Sequence, residues 1–209
     1  MSVQRFQSLR GTADILPDEQ AYWRHFEMKA SETAWRFGYE RIDTPTIEDS
    51  SLFVRGIGEV TDIVEKETYT FEDRGGDRIT LRPEGTAGVC RAYLQHGMTN
   101  LPQPVRLYYV NNLFRYERPQ AGRFREHHQF GIEAIGDADA AIDAEVIGLA
   151  WHLLEALSLE DFTLLVNSIG DSICRLAYIE KLKGHYLPYL NGVCGNCRRR
   201  LQRNPLRLL

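Results

Sequence analysis

The stretch Phe114-Arg115-Tyr116-Glu117-Arg118-Pro119-Gln120-Ala121-Gly122-Arg123-Phe124-Arg125 sets four arginines within eleven positions. Residues 105–115 on one side and 129–135 on the other are rich in aromatic and β-branched side chains, which predicts two strands. Pro119 and Gly122 interrupt any regular element between them, so residues 116–128 form a loop joining the strands. An arginine-bearing loop held by two rigid strands presents planar guanidinium forks, and these match phosphate oxygens bidentately. Such a loop suits a polyphosphate clamp that stabilises charge developing at phosphorus. A solvated, charged hairpin tip has the same composition.

Outward from this hairpin, the order of elements sets the fold class. Pro17, with Asp18 and Glu19 behind it, predicts a helix over 17–37, with apolar positions at Tyr22, Phe26, Ala30, Ala34 and Phe37 and a stop at Gly38. Residues 39–47 follow as a strand with Pro45 near its end. Segments 50–56 and 62–67 flank a Gly56-Ile57-Gly58 connection. Two short strands, 68–71 and 78–82, surround Asp73-Arg74-Gly75-Gly76-Asp77, which is hairpin-turn chemistry. Helices are predicted over 86–96, 140–157 and 171–183, and a strand over 162–168. The order lacks a regular βαβα alternation, so an α+β domain rich in antiparallel strands, with helices on one side, is expected.

Composition narrows the class further. The 209 residues are 43% hydrophobic and 26% charged, ordinary for a globular protein. No apolar run approaches the ~18–20 residues of a membrane span, and the N-terminus has no hydrophobic core of a secretory signal. Four cysteines make no disulfide framework, so a reducing, cytoplasmic setting is expected. The net charge of −4 is uneven: residues 172–209 hold eight Lys/Arg against Glu180 alone. That asymmetry suits an anionic partner or simply a solvated basic helix face.

Two more stretches carry chemistry. In Arg82-Pro83-Glu84-Gly85-Thr86 a carboxylate at a strand end precedes a helix start; it can face a ligand amine or cap the helix. In Gln129-Phe130-Gly131-Ile132-Glu133, residues 129, 131 and 133 share one face of a strand. Gln129 and Glu133 then point the same way, and Gly131 leaves space between them. A buried Glu133 needs a cationic or hydrogen-bonding partner; a polar outer sheet face is the alternative. Cys194-Gly195-Asn196-Cys197 is a single pair, short of the four ligands of a structural zinc site, so no metal site is expected.

Further stretches join these: Arg10-Gly11-Thr12-Ala13-Asp14-Ile15-Leu16-Pro17, Thr61-Asp62-Ile63-Val64 with Lys66-Glu67, His128-Gln129-Phe130-Gly131, Asp143-Ala144-Glu145 and Asn204-Pro205-Leu206-Arg207. Together they make the chain resemble the class II aminoacyl-tRNA synthetases, specifically the histidyl-tRNA synthetase family, over essentially its whole length. The resemblance implies a class II catalytic fold, a mostly antiparallel sheet flanked by helices, that ends before motif 3. Residues 1–170 would be the N-terminal part of the catalytic domain, with motifs 1 and 2. Residues 171–209 would begin the insertion between motifs 2 and 3, with the anticodon-binding domain absent.

The implied activity is ATP-dependent activation of L-histidine to histidyl-adenylate, then transfer to the 3′ end of tRNA(His). ATP and Mg²⁺ would be required, and a homodimer would form through motif 1. Arg115 would be the catalytic residue, at the α-phosphate and the histidine carboxylate. Glu84, Gly85, Thr86, Arg115, Gln129 and Glu133 would bind histidine, with Glu133 at the imidazole. Arg115, Glu117, Arg123, Arg125 and His127 would bind ATP. The family usually has Phe at position 127, stacked on adenine; histidine stacks with a smaller ring. Asn111-Asn112 replace the usual Gly-Pro, a change with no functional account in the sequence. Family members run well beyond 209 residues, so this chain alone is expected to be inactive in aminoacylation. The other family with this fold and pocket is the regulatory subunit of ATP phosphoribosyltransferase, which generally loses the Arg-Pro-Gln-x-Gly-Arg loop that is complete here at 118–123.

Overall fold

The chain is described by a computed structural model over residues 6–57, 68–116, 120, 122–168 and 170–208. Its elements in order are α1 (Gln20–Arg36), β1 (Glu40–Arg41), β2 (Ile47–Asp49), α2 (Ser50–Ile57), β3 (Tyr69–Glu72), β4 (Arg78–Leu81), α3 (Thr86–Gln95), β5 (Val105–Phe114), β6 (Glu126–Ile135), α4 (Ala140–Ala156), α5 (Ser172–Tyr186) and α6 (Gly195–Arg203). Contacts divide the chain into two units, Met1–Glu160 and Asp161–Leu209.

The first unit is organised by the β5–β6 ribbon, ten antiparallel pairs from Val105↔Ile135 to Phe114↔Glu126. β1 adds to β5 in parallel through Glu40↔Leu107 and Arg41↔Tyr108. A second antiparallel sheet has the order β2-β4-β3. Its hairpin closes as the sequence predicts: the Asp73 side chain accepts from the N–H groups of Gly75 (2.7 Å) and Asp77 (3.0 Å), and Gly76 takes φ +92°. That positive φ is one only glycine adopts without strain.

Alternation along β5 buries two different layers. Val105, Leu107 and Tyr109 pack with Val89 and Tyr93 of α3. Tyr108 packs the other way, with Ala34 of α1, Tyr39 and Leu149 of α4. Helices therefore cover both faces of the ribbon, not one side as the element order suggested. Both faces carry enough apolar surface to require a cover. On the α4 face Arg106 donates to both oxygens of Glu145 (2.7 and 2.8 Å), and Tyr39 Oη donates to the same carboxylate at 3.0 Å. Arg106 first, and Tyr39 after it, hold the Glu145 pKa below its usual value; burial pushes that of Tyr39 up to about 12.

Several predicted boundaries change. The helix expected from Pro17 begins at Gln20, because residues 17–19 form a turn in which the Glu19 carboxylate accepts from the Leu16 N–H. The single strand expected over 39–47 is two strands in different sheets. Between them the guanidinium of Arg82 takes the Thr44 carbonyl at 2.8 Å, and Pro45 has no N–H to offer a ladder. Gly56 and Ile57 continue α2 rather than forming a connection. β6 begins at Glu126, three residues before the prediction, and α5 runs on to Tyr186. Residues 162–168 are no strand: no ladder holds them, and Leu165 and Val166 are 88% and 70% exposed. α4 matches closely, capped by Asp139, whose side chain accepts from the Ala141 N–H. The Thr61–Val64 and Lys66-Glu67 stretches lie outside the described residues.

Candidate functional site

The site lies on the α3 face of the β5–β6 ribbon. Register puts Tyr109 opposite Gly131, Asn111 opposite Gln129 and Leu113 opposite His127, all on that face. The predicted common face of Gln129, Gly131 and Glu133 is therefore present. The space above Gly131 is filled, however, by the Tyr109 ring. A Cβ at Gly131 would stand 2.2 Å from Tyr109 Cζ, and one at Gly85 2.3 Å from the same atom. The ring is wedged between two backbones that can approach only because neither residue has a side chain. Tyr109 is the site residue that the sequence reading passed over. Its signal was available, as an aromatic side chain directly across an antiparallel pair from a strand glycine.

Around that ring the polar groups converge. Thr86 Oγ1, at the start of α3, donates to Glu133 Oε1 at 2.7 Å, and Tyr109 Oη reaches the same oxygen at 3.5 Å. Burial raises the pKa of the half-buried Glu133; the Thr86 hydroxyl opposes the rise and the charge of Glu84 adds to it. Burial and Glu133 push Tyr109 up to about 12. Glu84 caps α3, as its carboxylate accepts from the N–H groups of Thr86 (2.6 Å) and Ala87 (3.0 Å). The helix-cap role and the place beside the ligand face coexist, because the cap sets Glu84 within electrostatic reach of Glu133. Two carboxylates within electrostatic reach of each other, one of them half-buried, favour a cation beside them.

The other end of the face is basic. Arg115 follows β5 directly; its Nε donates to the Pro83 carbonyl at 2.8 Å, and its N–H to the Arg125 carbonyl at 2.9 Å. Arg125 stacks its guanidinium 4.4 Å above the Tyr116 ring centroid, and Tyr69 meets Tyr116 edge-on. The Arg125 N–H donates to the Gly11 carbonyl, which ties the Arg10-Gly11-Thr12 stretch to this loop. Arg123 is exposed, its N–H closing a turn onto Gln120. His127 lies beyond, facing Leu113. Glu117 lies outside the described residues. From His127 to Glu133 is six residues, about 20 Å at ~3.4 Å per residue. The face thus runs from the carboxylates of Glu84 and Glu133 to an arginine-bearing loop.

Two further residues hold the site in place. Arg82 is buried, donating from Nε to the Asn112 carbonyl (2.8 Å) and from Nη1 to the Thr44 carbonyl (2.8 Å), and burial lowers its pKa. It clamps the Pro83–Gly85 turn against β5. Asn112 donates from Nδ2 to Glu126 at 2.9 Å, a structural contact between β5 and β6. Asn111 is buried beside Gln129, and among the described residues its Nδ2 has no hydrogen-bond partner.

Comparison with known proteins bears on this geometry. A family model described as histidyl-tRNA synthetase matches residues 11–181. The chain is 57% identical over 204 residues to a histidine–tRNA ligase of Dehalococcoides mccartyi strain 195, covering 98% of the chain and 49% of that relative. It is 52% identical to one of Geobacillus thermodenitrificans, covering 98% and 48%. The chain spans about half the length of the curated relatives it matches. Among solved structures, the apo histidyl-tRNA synthetase of S. aureus superposes with a TM-score of 0.78 at 38% identity, covering 98% of this chain and 48% of that one. A Bacillus halodurans protein titled as an ATP phosphoribosyltransferase regulatory subunit/histidyl-tRNA synthetase superposes with a TM-score of 0.70 at 27% identity, covering 88% and 45%.

Proposed function

This chain belongs to the histidyl-tRNA synthetase family, and from that premise we propose that it forms the histidine- and ATP-facing part of a histidine–tRNA ligase. The observation that carries the reading is the two-ended face. At one end Thr86 and Tyr109 converge on Glu133, with Glu84 beside it; at the other stand Arg115 and Arg125. Histidine, with an α-ammonium and a basic imidazole, suits the first end. Its α-ammonium lies toward Glu84, Gly85 and Thr86, and its imidazole lies against Glu133 beside the Tyr109 ring, with Gln129 on the far side of that ring. The carboxylate then points along the face toward Arg115.

In that placement the histidine carboxylate attacks the α-phosphorus of ATP and pyrophosphate leaves. Arg115, fixed by the Pro83 carbonyl, neutralises charge that grows on the α-phosphate oxygens. Arg123 and Arg125 hold the nucleotide, and His127 stacks on its base. Mg²⁺, bound to the nucleotide as part of that substrate, would supply charge neutralisation at the phosphates. The terminal ribose hydroxyl of tRNA(His) then takes the histidyl group. Positioning and charge, not a covalent intermediate, are this chain's contribution.

The wider assignments rest on the same reading. Residues 1–170 serve as the first part of the catalytic domain, a division supported by the change in chain organisation after Glu160. Residues 171–209 serve as the start of the insertion. A homodimer through α1 is supported by the outward Tyr22 and Trp35, 79% and 76% exposed. No described helix is long and apolar enough to cross a membrane, and a cytoplasmic place in translation fits the reading. The regulatory-subunit alternative is disfavoured by the 50–57% identity to histidine–tRNA ligases against 27% to the Bacillus halodurans protein.

The test is histidine-dependent ATP–pyrophosphate exchange by the polypeptide that carries this segment. Arg115→Ala should lower exchange by about 10²–10³-fold, the loss typical of one transition-state donor. Glu133→Gln should raise the histidine KM. Wild-type exchange in both variants, or exchange driven equally by another amino acid, overturns the proposal.

A further inference from the structure

The pair Cys194 and Cys197 takes no part in the site above. Cys194 is the N-cap of α6 in extended conformation, and its sulfur accepts from the Cys197 N–H at 3.5 Å. Cys197 sits one turn on, so both thiols face the same helix end. Cys194 is exposed and Cys197 half-buried, and both are unpaired with any disulfide partner. Arg200 acts electrostatically on both sulfurs. Residues 198–200 are all arginine, and Arg203 follows on the same helix.

We propose that Cys194 and Cys197 form a reversible dithiol–disulfide site whose substrates are low-molecular-weight disulfides of the glutathione class. Cys194 is the attacking thiol and Cys197 the resolving one. The first step is attack of the Cys194 thiolate on the disulfide, forming a mixed disulfide and releasing one thiolate. Cys197, deprotonated, then attacks the Cys194 sulfur, closing the intramolecular bond and releasing the second. The small disulfide is reduced to two thiols and the protein dithiol is oxidised, so electrons and protons balance.

The asymmetry follows from the helix end. The Cys197 N–H, the Cys197 thiol and the Asn196 N–H stabilise negative charge on Cys194 and draw its pKa down. The side-chain hydrogen bond to Cys194 first, then burial and the Cys194 charge, hold Cys197 up. Cysteines at helix N-termini beside arginine, in a C-x-x-C spacing, have this reactivity. Residues three apart in a helix bring their Cβ atoms to ~5–6 Å, and an extended N-cap needs only a local rotation to reach the ~3.5–4.5 Å of a disulfide. Cys174 is the internal contrast. It also lies in the first turn of a helix, but beside the Asp171 carboxylate cap and with no second cysteine in that helix.

The experiment incubates the 209-residue chain with oxidised glutathione, quenches with iodoacetamide and digests with trypsin. Cleavage after Lys183 and Arg198 releases residues 184–198 with both cysteines. The expected result is that this peptide escapes alkylation and has the mass of the free dithiol less two hydrogens, reversibly with dithiothreitol, while Cys90 and Cys174 stay reduced and are alkylated. Cys197→Ser should accumulate a glutathione adduct on Cys194. In direct alkylation at pH 7, Cys194 should react faster than Cys197, because the helix end holds its thiol down and that of Cys197 up. Persistent glutathione adducts in the unmutated chain, or a disulfide that forms no faster than in concentrated guanidinium chloride, would overturn the proposal.

Discussion

Gly131→Ala isolates the contact on which the site is built. In an ordinary strand, replacing glycine by alanine stabilises by about 0.5–1 kcal/mol, because glycine loses more conformational freedom on folding. Gly131 has no positive φ that would forbid the change, so backbone strain predicts no loss. The Tyr109 ring reverses the sign. The new Cβ would stand 2.2 Å from Cζ, 2.4 Å from Oη and 2.6 Å from Cε2, where contact distances between carbons are ~3.5–4.0 Å. Relief needs more than about 1 Å of movement. The ring is 1% exposed, and the Gly85 backbone, so close that a Cβ placed there would stand 2.3–2.5 Å from the ring, blocks its retreat. Overpacking of this kind costs about 1–3 kcal/mol. For a unit of this size each kcal/mol is ~2–4 °C in Tm, so a fall of about 2–12 °C is expected by calorimetry. Tyr109→Ala should cancel most of that loss in a double-mutant cycle. An unchanged or raised Tm for Gly131→Ala, or equal losses with and without Tyr109, would refute the wedge.

Other perturbations read the neighbouring contacts. Thr86→Val removes the shorter donor to Glu133, so the Glu133 pKa should rise further, measured by carbon-detected NMR titration; a fall would contradict the assignment. Because the folded pKa of Glu133 is already raised, its contribution to stability is present below the usual carboxylate pKa and is lost as pH rises through the folded value. Thr86→Val should extend that window upward. Glu145 behaves oppositely: its pKa is lowered by Arg106, so its stabilisation is present above the unfolded carboxylate pKa and lost as pH falls through the folded one. Glu145→Gln should flatten the acid limb of a stability–pH curve, and an unchanged limb would count against the pair. Tyr39, raised to about 12, supports the fold below pH ~10 and loses that support as pH rises toward 12; Tyr39→Phe should remove that alkaline loss. Arg82→Met strands the carbonyls of Thr44 and Asn112, and a loss of about 2–4 kcal/mol in urea unfolding is expected; a loss below about 1 kcal/mol would mean water replaces the clamp.

Local pattern alone determined a good part of this protein. Period-two alternation showed that Gln129 and Glu133 share a face, and turn chemistry at Asp73–Asp77 showed the β3–β4 hairpin. The linked motifs identified the family. These signals are legible because each depends on residues a few positions apart. What only the tertiary structure decided involves partners far apart in the chain. Arg82 divides a predicted strand by reaching carbonyls 30 and 38 positions away. Tyr109 fills the space that a lone strand glycine seemed to leave, because Gly85 arrives from another element. Leu164, Leu165 and Val166 have strand propensity and no ladder, since propensity supplies no partner. Strand periodicity says that a residue faces one side or the other; which side is core, and what lies across it, follows from packing between distant segments.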